Sequence, residues 1–268
     1  MKHRFFIVLI SLIFAAFSAT VVMAALTDGL VAHWPFDDGS GDVAVDATGN
    51  GNDGELQGGP TWTGDSMMGT GSLTFDGTDD LVRLASFDVE GGNGITIACW
   101  IMATNLDTPG DDPRMVSKAV GGNNEDHWFM MSSSRVGADK VLRFRLKTDG
   151  VTGELKAGTD GIIDLDAWIH AVASWDGSTM RLYKNGAEVG SLAKGGVLDV
   201  DPTVEMAIGS QPATTDARPF DGSIDDVAIW NRALTPDEIN ELMTLGIDSA
   251  SAVEPDSKLT TTWGSIKY

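Results

Sequence analysis

The stretch from Trp168 to Ser191, WIHAVASWDGSTMRLYKNGAEVGS, constrains this chain more than any other. Side chains alternate faces along a strand, so Ile169, Ala171, Ala173 and Trp175 share one side while His170, Val172 and Ser174 share the other. Asp176-Gly177-Ser178 interrupts the run, and a second alternation follows through Met180, Leu182 and Lys184. Asn185-Gly186 comes next; both central residues of a type I′ turn need positive φ, which Asn and Gly tolerate best, so a tight hairpin is predicted there. Ala187 to Ser191 is the return strand. Three antiparallel strands of this kind form a meander, and a lone meander cannot bury both faces. A second sheet must cover it.

This meander resembles that of the laminin-G-like, concanavalin A-like jelly-roll family, whose members carry W-x-H-V-A, then D-G, then an aromatic before N-G. Four more pieces fit the resemblance in order: GLVAHWPFDDGSGDVAVDATGNGNDGEL at 29 to 56, LTFDGTDDLVRL at 73 to 84, ITIACWI at 95 to 101, and FDGSIDDVAIWNRALTPDEI at 220 to 239. The likeness spans roughly four fifths of the chain. It implies an all-β fold, a two-sheet antiparallel jelly-roll sandwich with one short C-terminal helix. Fold alone does not give function.

The 268 residues have room for one sizeable β domain. Lys2 and Arg4 precede an apolar run from Phe5 to Phe17, and Val22-Met23-Ala24 offers the small residues of a cleavage site. We therefore expect a signal peptide at 1–24, the jelly-roll domain at 25–245 and a linker-like tail at 246–268, with the mature protein secreted or at the cell surface. Net charge is −21, and losing two basic residues with the signal leaves 16 basic against 39 acidic groups. Such a surface repels nucleic acid and anionic membranes. No membrane insertion is expected after cleavage. Cys99, the only cysteine, excludes an internal disulfide; it shares a strand face with Ile95, Ile97 and Ile101 and reads as core.

Along the chain, Leu30 to Phe36 reads as a first strand, followed by a Gly- and Asp-rich loop from Asp37 to Gly54. Leu73 and Phe75 on one side and Leu81 to Leu84 on the other bracket Asp76-Gly77-Thr78-Asp79, a predicted hairpin. Leu142, Phe144 and Leu146 alternate with Arg143, Arg145 and Lys147, a half-buried strand. Its three cations have two readings, a surface for sulfated glycans or cross-strand pairing with carboxylates. Thr235-Pro236-Asp237-Glu238 reads as a capping box opening a short helix, with Ile239, Leu242 and Met243 on one face.

Candidate chemistry concentrates in two places. Calcium takes six to eight oxygens at roughly 2.3 to 2.6 Å, and Asp46, Asn50 and Asn52 in DATGNGN offer several within one loop. The resemblance sets such a loop beside the final strand, which adds Asp225 or Asp226 and implies a structural calcium. The same residues would otherwise be Asx-turns bonding their own backbone. The second place is a pair of polar loops that could form a glycan rim from Arg114, Asn124, His127 and Trp128, with core packing as the other reading of Trp128. Trp34, Trp100, Trp168, Trp175 and Trp230 read as core on predicted strands, and Trp62 as a loop residue.

Related jelly rolls include glycoside hydrolases with E-x-D-x-x-E or E-x-D-x-E along one strand, and this chain carries no such run. No nucleophile elbow, zinc-ligand spacing or phosphate-cradling loop occurs either. The expectation is a non-catalytic binding module, its partner a glycan or a cell-surface protein.

Overall fold

In the computed structural model the described residues are 25–90, 93–212 and 217–250; the expected signal segment and the tail from 251 onward lie outside them. Strands follow in chain order: β1 Leu30–Trp34, β2 Val43–Ala44, β3 Gly54–Gln57, β4 Thr61–Thr63, β5 Ser72–Asp76, β6 Leu81–Leu84, β7 Ile95–Asn105 and β8 Arg114–Ala119. Then come β9 His127–Val136, β10 Asp139–Thr148, β11 Val151–Lys156, β12 Ile169–Trp175, β13 Thr179–Lys184, β14 Ala187–Ala193, β15 Met206–Ile208 and β16 Asp221–Trp230. They form two antiparallel sheets. The first runs β14-β13-β12-β7-β16-β5-β4, with β1 also on β16, and the second runs β11-β10-β9-β8-β15-β6-β3-β2. This is the expected jelly-roll sandwich.

The meander opens the first sheet, with Trp175 opposite Met180 and Lys184 opposite Ala187. Asn185 and Gly186 stand at φ 51° and 80°, as the I′ turn requires. Ile169, Ala171, Ala173 and Trp175 enter the core between the sheets, beside Ile95, Ile97, Cys99 and Ile101 of β7. Cys99 is fully buried there, and burial pushes its thiol well above the usual cysteine range.

The outer face of the first sheet has its own cover. Val172, Tyr183, Ala98, Ala228 and Trp230 pack against Ile239, Leu242 and Ile247 of α1 (Pro236–Ala250) and against Leu26. The capping box forms: the Thr235 amide donates to Glu238 Oε2 at 2.7 Å, and the Glu238 amide donates to Thr235 Oγ1 at 3.2 Å. The helical backbone of α1 breaks at Gly246 (φ 70°), one residue past the expected domain end, and Ile247 beyond the kink is buried in the same cluster.

Two local expectations change. The segment around Asp76 to Asp79 is no hairpin, because β5 belongs to the first sheet and β6 to the second. Leu73 and Phe75 meet Val82 and Leu84 across one core, so apolar alternation is the same for a hairpin and for an arch that crosses the sandwich. Strand β10 is buried on both faces rather than half-buried, since Arg143 and Arg145 lie under ion-pair partners. Trp62 proves to lie on β4, against Phe36, and Trp168 just before β12.

Candidate functional site

Cross-strand partners point the same way, so the register of the second sheet fixes its outer face. Arg145 stands opposite Met130 and Glu154, and Arg143 opposite Ser132 and Lys156. Arg145 Nη2 lies 2.9 Å from Glu154, while Arg143 reaches Glu154 at 3.3 Å, Ser132 Oγ at 3.0 Å and Asp112. The cross-strand pairing reading of this strand is therefore the one realised.

Arg114 lies at the centre. Its guanidinium spans from Asp112 Oδ2, 3.2 Å away, across Met130 to His127 Nε2 at 3.2 Å and Gln211 Oε1 at 3.4 Å. His127 Nδ1 faces the Asn123 carbonyl at 2.8 Å, which places its proton on Nδ1 and leaves Nε2 to accept from Arg114. Burial, with Arg114 and Arg145 nearby, lowers the imidazole pKa to about 4, so it is neutral at physiological pH. Burial also lowers Arg114 to about 9, against the pull of Asp112 and with the push of Arg143, Arg218 and Arg145. Arg114 Nε and Gln211 Nε2 are buried donors without a protein partner.

Of the four residues expected at a glycan rim, the structure joins Arg114 and His127 directly. Asn124 meets the same imidazole through its carbonyl, 3.4 Å from Nδ1. Trp128 is half-buried against the inter-sheet core, and Lys147 Nζ sits 4.5 Å from its ring centre. Sequence reasoning missed Gln211, which no motif marks, and Asp112, whose role appears only when its loop folds over β8. Alternation along β10 did signal Arg143 and Arg145.

The Gly-rich loop forms around Asp46. Its Oδ1 accepts from the His33 and Thr48 amides, both at 3.1 Å, and from Thr48 Oγ1 at 2.7 Å; Oδ2 accepts from the Asn52 amide at 3.1 Å and Asn52 Nδ2 at 3.0 Å. Asn50 and Asn52 both donate to the Val31 carbonyl, at 2.9 and 3.2 Å. This is the Asx-turn arrangement, and it occupies both Asp46 oxygens.

Asp225 bonds elsewhere. It sits where β16 bulges against β7, and its Oδ2 accepts from the Met67 and Met68 amides at 2.8 and 3.0 Å. Oδ1 is buried without a partner. Burial, together with the charges of Asp226 and Asp37, raises this carboxyl to about 7. Asp226, at φ 50°, holds His33 Nε2 at 2.6 Å, and Asp37 Oδ1 accepts from the Thr70 and Gly71 amides. A cavity of about 140 Å³ opens beside them, lined by His33, Pro35, Asp37, Met68, Gly69 and Asp226 among others. A separate carboxylate trio, Asp76, Asp79 and Asp80, gathers within 4.8 Å at the arch between the sheets.

A family model described as the concanavalin A-like lectin/glucanases superfamily matches residues 76–240. Mouse pappalysin-1 is 25% identical over 206 residues, which are 73% of this chain and 12% of that protein. The human adhesion G-protein coupled receptor D1 is 28% identical over 144 residues, 52% of this chain and 16% of the receptor. This chain thus spans under a fifth of either relative's length. Among solved structures, domain 4 of AbnA, an extracellular GH43 arabinanase from Geobacillus stearothermophilus in complex with arabinotriose, superposes with a TM-score of 0.60. It shares 22% identity and covers 80% of this chain and 98% of that one.

Proposed function

From its membership of the concanavalin A-like lectin/glucanase superfamily, to which this chain belongs, we propose that the protein is a secreted, non-catalytic binding module whose ligand is a glycan. The observation that carries the reading is the outer face of the second sheet. There Trp128 is half-buried with Lys147 Nζ 4.5 Å from its ring centre, next to the fully buried His127 and Arg114. An indole ring and an ammonium are groups that hold hydroxyl-rich sugars by ring contact and directed hydrogen bonds. The arabinotriose complex of the similar arabinanase domain supports a sugar ligand. The adhesion receptor among the relatives supports a second reading, a protein partner at the cell surface.

The test is a panel of polysaccharides screened with the purified protein at millimolar calcium. Retention of at least one class, weakened in Trp128→Ala, is the expected result. Silence across the panel, with capture of a defined surface protein, would replace the glycan by that partner. Release of reducing ends or unsaturated sugars by the pure protein would overturn the non-catalytic reading.

A structural calcium, as superfamily membership suggests, does not fit the expected residue set. Asp46, Asn50 and Asn52 are engaged with each other and with Val31, and Asp225 keeps an unpartnered oxygen that is fully buried. We assign the ion instead to Asp76, Asp79 and Asp80, whose carboxylate oxygens lie within 4.8 Å of one another; it would supply charge neutralisation at the arch between the sheets. Millimolar calcium is expected to raise the melting temperature of the wild type over its value in chelator, and to leave Asp79→Asn unmoved. Coincident wild-type curves would remove the ion from the account.

A further inference from the structure

A cavity of about 750 Å³ opens at the end of the sandwich beside Trp175, between the 176–178 turn and the connection from β14 to β15. Val89, Trp175, Val197, Leu198 and Val200 give it an apolar wall. Val197 is 73% exposed, more than any other large apolar side chain among the described residues, and Val200 is 48% exposed. Single water-facing aliphatic side chains are ordinary, but two lining one cavity mark a surface suited to an apolar partner. The wall is held in place. Trp175 Nε1 donates to the Lys194 carbonyl at 2.6 Å, and the Lys194 amide donates to the Ser178 carbonyl at 2.8 Å. The Val197 amide donates to Asp149 Oδ1 at 3.2 Å while its carbonyl accepts from the Asp149 amide at 3.0 Å, and the Asp201 amide donates to Asp88 Oδ1 at 3.0 Å. Backbone tied at these points keeps the valines at the opening, so a ligand has little conformational freedom left to remove.

Charge around this wall has one sign. Glu90 and Asp176 line the cavity, and no Lys, Arg or His is among its described lining residues. Asp176 is largely committed, since Oδ1 accepts from the Ser178 and Thr179 amides at 2.9 Å and Oδ2 faces Arg181 at 2.5 Å. Glu90 is exposed, and its carboxylate has no ion-pair partner among the described residues. We propose that this cavity takes an amphipathic amine, with its hydrocarbon chain along the valines and Trp175 and its ammonium at Glu90. A carboxylate beside an apolar wall attracts an ammonium more strongly than the same pair attract in bulk water, and a chain of net −21 concentrates cations at its openings. Four of the five apolar lining side chains are aliphatic, which suits a flexible hydrocarbon rather than the flat face of a sugar ring, so this site stands apart from the glycan face. An anionic amphiphile of equal length meets the opposite field.

The test titrates the whole protein, by calorimetry and by melting temperature, with octylammonium, octanoate and octyl glucoside below their micellar concentrations. These are three headgroups on one chain; ethylammonium serves as a cation without the chain. Octylammonium is expected to bind about tenfold tighter than octyl glucoside, with octanoate and ethylammonium weaker still. Glu90→Gln should bring octylammonium down to the level of octyl glucoside and leave octyl glucoside itself unchanged. Val197→Ser should weaken both by about threefold, through lost apolar contact. Both side chains are exposed, so both variants are expected to melt like the wild type. Equal binding of all three octyl compounds would overturn the cationic ligand. Octylammonium binding that survives both substitutions would overturn the site by moving it to the acidic surface at large. Neither heat nor a shift in melting temperature with any octyl compound would overturn the proposal altogether, and none of these results alters the retention of polysaccharides by the glycan face.

Discussion

Asp225 shows what one side chain can report about this fold. Its carboxyl is fully buried and its pKa stands near 7, above the ordinary carboxylate value, so it favours the folded state while protonated. That contribution is whole below about pH 4 and is lost as pH rises through 7. In chelator, Asp225→Asn should therefore gain on the wild type between pH 4 and pH 8, by a few kcal/mol at about 1.4 kcal/mol per pKa unit. The comparison isolates one group, because Asp46, Asp112 and Glu154, whose depressed pKa values act in the opposite sense, are common to both proteins. Parallel curves of melting temperature against pH would show that Asp225 is already compensated. The sequence grouped this residue with Asp46 as a metal ligand, because spacing along the chain does not show which oxygens a loop has already used. His127 and Arg114 were legible as polar residues beside loops, while their direct contact depends on the Arg114 side chain lying along β8 and β9.

At the scale of elements, the strands that alternate cleanly were readable because a period of two with punctuating turns leaves little choice. β12, β13 and the I′ turn follow from the residues alone, as does the cap of α1. The arch from β5 to β6 was not, since both of its strands bury one face in the same core whichever sheet they join. Gly222 on β16 could not be predicted either, although the structure makes its side chain hydrogen indispensable. It stands at φ 136°, and a Cβ there would lie 2.1 Å from the Met102 carbonyl of the adjacent β7. Backbone cannot retreat from a central strand as a flexible side chain can. Gly222→Ala is accordingly expected to cost about 2 kcal/mol or more in chemical denaturation. A loss below about 0.5 kcal/mol would mean that β16 and β7 can separate locally without cost to the sandwich.

Taken whole, the molecule sets two electrostatic effects against each other, and salt distinguishes them. A net charge of −21 repels itself in the compact state, and the repulsion acts over a Debye length that shrinks from about 30 Å at 0.01 M to about 8 Å at 0.15 M salt. Against this stand exposed ion pairs such as Arg135 with Asp107 and Asp111, which the same salt weakens, though each such pair contributes only about 0 to 1 kcal/mol. Long-range repulsion among many carboxylates outweighs a few exposed pairs, so the melting temperature in chelator is expected to rise by several degrees between 10 and 200 mM sodium chloride (order-of-magnitude values from the screening lengths above). A melting temperature that falls with salt would instead show that local pairs govern stability and that the excess of acid over base is already neutralised within the fold.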